Sequence, residues 1–185
     1  MPLPKLKEKF TYQDYCTWPD EERWELIDGR PYDMSPAPFL YHQTIAVNFT
    51  GILRNALLNK PCKVYVAPSD VVLSEWDVVQ PDVFVVCDKK KITEKNIQGA
   101  PDLIIEILSP STAKKDRWEK KNLYEKFGVR EYLLADPDGK FVERFWLGEN
   151  GRFDRGEAFD AAGEIALKSL PEITISLRDI FEQAL

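Results

Sequence analysis

The chain has 185 residues, of which 44% are hydrophobic and 30% are charged, and this balance excludes long disordered or collagen-like segments. Its 25 basic and 31 acidic residues give a net charge of −6, which excludes a protein that coats nucleic acid by bulk charge but not a nuclease with a local basic surface. The length favours a single domain over residues 1–185. The cysteines Cys16, Cys62 and Cys87 form no Cys-x-x-Cys pair, which favours a reducing cytoplasm over a disulfide framework.

The first third of the chain contains two helix signals and one hairpin signal. Thr11, with Asp14 three residues later, predicts a short capped helix over 11–17. Two alternating runs around Asp28-Gly29 predict a β-hairpin over 23–34. Apolar residues at helical spacing then predict a helix over 39–59 with one buried stripe.

The rest of the chain alternates short apolar runs with turn residues. Strands are predicted over 63–67, 70–73, 78–87, 103–108, 131–136 and 141–147. The helix between the fourth and fifth of these begins at Ser111 or Thr112 and ends at Gly128. A strand, a helix and a further strand form a crossover unit, so the prediction is a mixed α/β fold with a partly parallel sheet. The tail, with alternating Ile173 and Ile175, is expected to pack on the sheet edge.

Two acidic residues lie in strands that are otherwise apolar. Glu106 interrupts the run 103–108, which is apolar on both faces and therefore reads as a central strand covered on both sides. Asp82 precedes the apolar run 83–86. A buried carboxylate is costly unless it is paired, protonated or bound to a metal. If the two strands are neighbours, both acids converge and form a minimal cradle for Mg²⁺; a salt bridge is the alternative.

The helix that follows Glu106 is basic. Residues 112–130 carry seven basic and three acidic side chains, a balance of +4 that is opposite in sign to the whole chain. Lys120 shares its helical stripe with Leu123 and Tyr124, so its side chain is predicted to point inward, whereas Arg117 and Lys121 are predicted to face solvent. An inward lysine beside an inward carboxylate is either an ion pair or a catalytic group. Snorkelling and a pair with Asp116 are the alternatives for Lys120.

Six short motifs follow one another along the chain. They are E-L-I-D-G (25–29), S-P-A-P with H-Q (35–43), V-Q-P-D-V (79–83), P-D-L-I-I-E-I-L-S-P-S-T (101–112), D-R-x-x-K-x-x-x-Y (116–124) and G-V-x-E-Y (128–132). Each motif is weak alone, and the six in order are specific over almost the whole chain from residue 11. In this order they resemble the Uma2 family, or domain of unknown function 820, which is abundant in cyanobacteria.

This resemblance implies the PD-(D/E)xK nuclease superfamily and its restriction-endonuclease-like mixed sheet, with a core of helix, three strands, helix and strand. It implies that Pro81-Asp82 is the PD element and Glu106 the second acid. Leu108 stands where the E-x-K pattern requires lysine, and the resemblance implies that Lys120 supplies the missing charge. The implied function is a Mg²⁺- or Mn²⁺-dependent endonuclease that acts on DNA, with Asp82 and Glu106 as metal ligands.

The resemblance adds two further candidate site residues and a partner. Glu25 matches the E-L-I-D-G element and would complete a metal site, or it pairs across the hairpin. His42 matches the H-Q element and would contact a phosphate or a metal-bound water, or it makes a structural hydrogen bond. Arg117 and Lys121 are expected to contact DNA, and analogy with nucleases that cut both strands suggests a homodimer. A non-catalytic nucleic-acid or protein interaction module and a phosphoesterase for a smaller substrate stay open as alternatives.

Overall fold

The computed structural model describes residues 8–19, 21–34, 39–109 and 116–182. These residues form four α-helices, α1 Tyr12–Tyr15, α2 Leu40–Ala56, α3 Lys121–Phe127 and α4 Leu177–Phe181. A 3₁₀ turn lies at Lys89–Lys91, and a π-helical turn, Asp116–Lys120, leads directly into α3. None of the described helices is both long and apolar enough to cross a membrane.

Thirteen strands complete the described part of the chain, and they form three sheets. In chain order they are β1 Trp24–Ile27, β2 Arg30–Asp33, β3 Lys63–Val66, β4 Val71–Ser74, β5 Asp77–Val79, β6 Val83–Val86, β7 Ile97–Gln98, β8 Leu103–Ile107, β9 Glu131–Asp136, β10 Phe141–Trp146, β11 Glu157–Asp160, β12 Glu164–Ala166 and β13 Thr174–Ser176.

The main sheet has the strand order β11-β10-β9-β8-β6-β3. Strands β8 and β9 are parallel, as predicted for the unit that crosses through α3, and the other neighbouring pairs are antiparallel. Helix α2 precedes β3, β6 and β8, and α3 precedes β9, so the chain contains the helix, three strands, helix and strand of a restriction-endonuclease-like core. The predicted fold class is confirmed.

Both faces of the central strand β8 are covered, as its apolar sequence indicates. Ile105 and Ile107 lie in one core cluster with Ile45 and Phe49 of α2. Ile104, on the other face, lies in a second core cluster that includes side chains of α3. Because neither face of this strand meets water, a charged side chain on it needs a partner within the protein.

The predicted hairpin β1–β2 forms, and it belongs to a second sheet with the order β2-β1-β5-β4-β7. Its turn residues Asp28 and Gly29 both have positive φ, the backbone of the favoured two-residue hairpin turn. A Cβ atom at Gly29 would lie 2.9 Å from Cβ of Lys9, so the packed N-terminal segment also requires glycine here. Helix α1 has the predicted capping box between Thr11 and Asp14.

Three expectations about the chain need correction. The predicted strand over 78–87 is two strands, β5 and β6, in different sheets, and the link Gln80-Pro81-Asp82 carries the chain from one sheet to the other. Proline lacks the N–H that a continuous ladder needs, which suits such a break. The tail does not add to the edge of the main sheet: β13 pairs with β12 in a separate two-stranded sheet, and its Ile175 packs into the core.

The third correction concerns the cysteines, because Cys62 and Cys87 form a disulfide. The antiparallel register Lys63↔Val86 of β3 and β6 places the two residues opposite each other, 25 residues apart in sequence. Cys16 is a free and exposed thiol. The disulfide removes the reason for predicting a reducing cytoplasm, so the cytoplasmic location stays a prediction without this support.

Candidate functional site

The two predicted acids are brought together by the pairing of β6 with β8. The register Val83↔Ile105 continues by one residue to set Asp82, just before β6, across from Glu106 in β8. Glu106 is 2% exposed, and Asp82 is half-buried at the end of its strand. The two strands are therefore neighbours, which is the condition on which the convergence of the two acids depends.

Lys120 provides the positive charge that faces Glu106. Its Nζ lies 2.8 Å from Oε1 of Glu106 and also 2.8 Å from Oε1 of Glu25, and its side chain is almost entirely buried. Lys120 is the last residue of the π-helical turn, a local distortion that often occurs at functional sites. The inward direction predicted from its helical stripe is therefore observed, and its ion-pair partners are the two glutamates.

Glu25 reaches this cluster from the second sheet. It is fully buried in β1, and besides Lys120 its Oε1 accepts a hydrogen bond of 2.9 Å from the backbone N–H of Gln80. The alternation of side chains along β1 sends Glu25 toward Lys120 and Leu26 toward the opposite face, into a separate apolar cluster. Glu25 thus belongs to the same site as Glu106, although the two residues come from different sheets.

Tyr124 is a member of the site that the sequence analysis missed. Its hydroxyl donates a 2.6 Å hydrogen bond to Oε1 of Glu106, and its ring is fully buried. Burial, followed by the negative charges of Glu106 and Glu25, holds the pKa of Tyr124 well above its usual value, so the phenol stays a donor. The signal was present: Tyr124 lies four residues after Lys120 on the same stripe.

Asp82 and His42 form the second half of the site. Oδ2 of Asp82 accepts a hydrogen bond of 2.8 Å from the N–H of Ile107 and lies 3.3 Å from Nε2 of His42. His42 is a buried residue of α2, 8% exposed, so it contacts the aspartate and not open solvent. The structure thus brings His42 to the site through Asp82.

The combined site, called the charged cluster below, contains Glu25, His42, Asp82, Glu106 and Lys120. Glu25 and Glu106 contact the ammonium of Lys120, whereas Asp82 contacts His42. Within the described ranges, no three His, Cys, Asp or Glu side chains are grouped closely enough to form a metal-binding cluster. The carboxylates of Asp82 and Glu106 are of the ligand type that Mg²⁺ uses, since this ion takes one or two carboxylates and completes its shell with water and substrate phosphate.

Arg117 and Lys121 are the two residues predicted to contact DNA. The side chain of Arg117 lies outside the described residues. Lys121 is half-buried, with Nζ 3.8 Å from the centre of the Phe145 ring, so the prediction that it faces solvent holds only in part. The neighbouring Trp118 of this turn is exposed, with 70% of its surface accessible.

Comparison with known proteins agrees with this fold. The model of the Uma2 family, described as "Putative restriction endonuclease", matches residues 12–178. Two relatives in Synechocystis sp. (strain ATCC 27184 / PCC 6803 / Kazusa) bear the names "Uncharacterized protein slr1290" and "Uncharacterized protein sll1609". The first is 28% identical over 81% of this chain and 78% of its own, and the second is 27% identical over 67% of this chain and 72% of its own.

A solved structure shares the fold over nearly the whole length of both chains. It is described as "a putative nuclease belonging to DUF820" from Anabaena variabilis ATCC 29413, and it matches with a TM-score of 0.78 at 20% identity, covering 93% of this chain and 97% of that chain. The family match covers most of this chain, including every member of the charged cluster. The chain therefore belongs to the Uma2 family, the family of "Putative restriction endonuclease" proteins.

Proposed function

We propose that this protein is a Mg²⁺- or Mn²⁺-dependent endonuclease that hydrolyses phosphodiester bonds in DNA. The observation that carries the proposal is the buried ammonium of Lys120, 2.8 Å from Glu106, at the point where the PD element and the second acid meet. The resemblance implies that this lysine replaces the one missing at Leu108, and its orientation supports that assignment. Membership of a family described as restriction endonucleases supports the reaction class.

Asp82 and Glu106 are the residues that would hold the metal ion. When bound, Mg²⁺ would neutralise charge on the scissile phosphate and lower the pKa of an attacking water. The N–H of Ile107 and the ring of His42 fix the orientation of Asp82. The Tyr124 hydroxyl fixes that of Glu106. Such contacts keep metal-ligating carboxylates oriented in other proteins.

In this proposal Lys120 acts on the substrate, and Glu25 acts on Lys120. We assign Lys120 to the negative charge that develops on the phosphate, since a buried ammonium acts strongly in a site from which water is excluded. Glu25 also contacts this ammonium, with its Oε1 2.8 Å from Nζ. Glu25 is therefore a positioning residue for Lys120 in this proposal.

The alternative is a module that binds nucleic acid or protein without cutting. One observation favours it: Lys120 already contacts both glutamates, so the cluster contains an internal cation. Metal binding separates the two proposals. A nuclease must bind Mn²⁺ at this site in spite of Lys120, whereas a binding module does not need to.

The test measures plasmid cleavage with Mg²⁺, Mn²⁺ or EDTA for the wild type, Glu106→Gln and Glu94→Gln, and Mn²⁺ binding by calorimetry for the same three proteins. Glu94 is an exposed glutamate outside the site and serves as the matched control. We expect cleavage and Mn²⁺ binding in the wild type and Glu94→Gln, and neither in Glu106→Gln. Cleavage that persists in EDTA, or in Glu106→Gln, would contradict the proposal. The homodimer stays a prediction, and light scattering of the purified protein tests it.

A further inference from the structure

A cavity of about 410 Å³ lies between α1 and the second sheet, outside the charged cluster. Tyr12, Tyr15, Trp18 and Trp24 line it. Their rings form a continuous series, with centroids 6.3 Å apart for Tyr12 and Tyr15, 5.5 Å for Tyr15 and Trp18, and 5.7 Å for Trp18 and Trp24. The volume falls within the range of small-ligand pockets, and the four rings, inclined to one another by 27°, 54° and 71° along the series, give the cavity an aromatic wall.

A network of hydrogen bonds fixes polar side chains of the same cavity. Gln80 is its centre: its Oε1 accepts from Nε and Nη2 of Arg23 at 3.2 and 3.1 Å, and its Nε2 donates to Oδ1 of Asp70 at 2.9 Å. The Tyr15 hydroxyl donates to the same Asp70 oxygen at 2.8 Å. These bonds hold donors and acceptors in place beside the aromatic rings. The polar groups can then form hydrogen bonds with the edge of a flat ligand while a ring contacts its face.

The cavity adjoins the charged cluster through two short stretches of backbone. Gln80 lines the cavity with its side chain, while its backbone N–H donates to Glu25, and Asp82 follows two residues later. On β1, the neighbours Trp24 and Glu25 point to opposite faces of the sheet, toward the cavity and toward Lys120. The cavity and the cluster thus lie on opposite faces of β1, and a strand that reaches both would pass from one face to the other beside the link Gln80-Pro81-Asp82.

Four charged side chains line the cavity, the acidic Glu22 and Asp70 and the basic Arg23 and Lys95. Both acids already accept hydrogen bonds from within the protein, Glu22 from the indole of Trp24 and Asp70 from Tyr15 and Gln80. In the described part of the chain, the Lys95 ammonium has no ion-pair partner. Aromatic faces together with fixed polar groups and a cation match a nucleobase and its phosphate.

We propose that this cavity receives an unpaired nucleobase of the DNA strand that reaches Asp82 and Glu106. The inference rests on the proposed nuclease function and adds to it the position of a neighbouring nucleotide. The base stacks on the aromatic series, and Lys95 contacts the strand's phosphate. Stacking on aromatic side chains tolerates any base, so the cavity contributes affinity and register without strong sequence preference.

The test uses the full chain in EDTA and single-stranded oligonucleotides that carry 2-aminopurine at successive positions. The emission of 2-aminopurine falls when the base stacks. We expect quenching at one or two positions, and a loss of about tenfold in affinity when the nucleotide at that position is made abasic. Trp24→Leu should abolish the position-dependent quenching. Trp76 is exposed, lies in the turn between β4 and β5 and does not line the cavity, so Trp76→Leu should preserve the quenching.

Uniform emission at all positions in the wild type would overturn the inference, and this measurement needs no variant. Equal quenching in Trp24→Leu and Trp76→Leu would also overturn it. Quenching of the free 2-aminopurine nucleotide without quenching in the strand would reject the strand as the source of the base. Fluorescence anisotropy of unmodified single- and double-stranded oligonucleotides tests the proposed function separately. If neither form binds at low salt, the nuclease proposal fails and the inference fails with it, whereas binding of the double-stranded form alone rejects only the inference.

Discussion

Replacing Lys120 with methionine removes the cation that contacts both Glu25 and Glu106 and keeps a side chain of similar length. In the wild type the ammonium lies 2.8 Å from each of two carboxylates, and all three side chains are at most 3% exposed. Removal leaves Glu25 and Glu106 buried without their counter-charge. Breaking a buried ion pair in this way costs about 3–5 kcal/mol. With about 2–4 °C per kcal/mol for a chain of this size, we expect Tm to fall by about 10 °C.

Lys121→Met is the matched control, because it removes the next lysine, whose Nζ lies on the Phe145 ring. Loss of that contact should cost only about 0.5–1 kcal/mol. Urea unfolding of both variants measures the difference. The double variant Lys120→Met/Glu106→Gln should be more stable than Lys120→Met, since one uncompensated charge disappears. Mn²⁺ should stabilise Lys120→Met more than the wild type, because the bound ion replaces the missing positive charge. Equal and small losses in the two single variants would refute the burial of Lys120 between the glutamates.

Three further predictions address other parts of the molecule. The pKa of Tyr124 in the folded protein lies above the unfolded value of about 10. Its contribution to stability is therefore complete below pH 10 and is lost as pH rises through the folded pKa. In urea unfolding between pH 9 and 11, Tyr124→Phe should lose less stability than the wild type. Alkylation and mass spectrometry should detect one thiol without reductant and three with it, and reduction of Cys62–Cys87 should cost about 2–4 kcal/mol; three thiols without reductant would contradict the disulfide. Binding of DNA should weaken steeply with salt, and Arg117→Glu with Lys121→Glu should reduce affinity for any sequence about equally, as measured by anisotropy; affinity that does not change with salt would count against a DNA partner.

Local signals in the sequence predicted local structure well. Asp28-Gly29 predicted the hairpin because a turn with two positive φ angles accepts few other residues. The stripe Lys120, Leu123 and Tyr124 predicted the inward lysine, although the first turn is π-helical and not α-helical. In these cases neighbouring residues contain the information needed.

Long-range pairing was the part that the sequence could not reveal. Nothing near Glu25 indicates that its partner is Lys120, since the contact depends on how two sheets meet at Gln80. The disulfide likewise depends on the register of β3 with β6, and without that register Cys62 and Cys87 look unrelated. The motif resemblance identified Glu25 as a site residue but not the contact that it makes.

The order in which the charged residues occur along the chain has a consequence for synthesis. Glu25, Asp82 and Glu106 all leave the ribosome before Lys120. A nascent chain that ends before Lys120 contains Glu25 and Glu106 but lacks the ammonium that contacts both of them, and burial of these carboxylates without it is unfavourable. The interior around the two glutamates is therefore expected to pack only after the segment that contains Lys120 has been made.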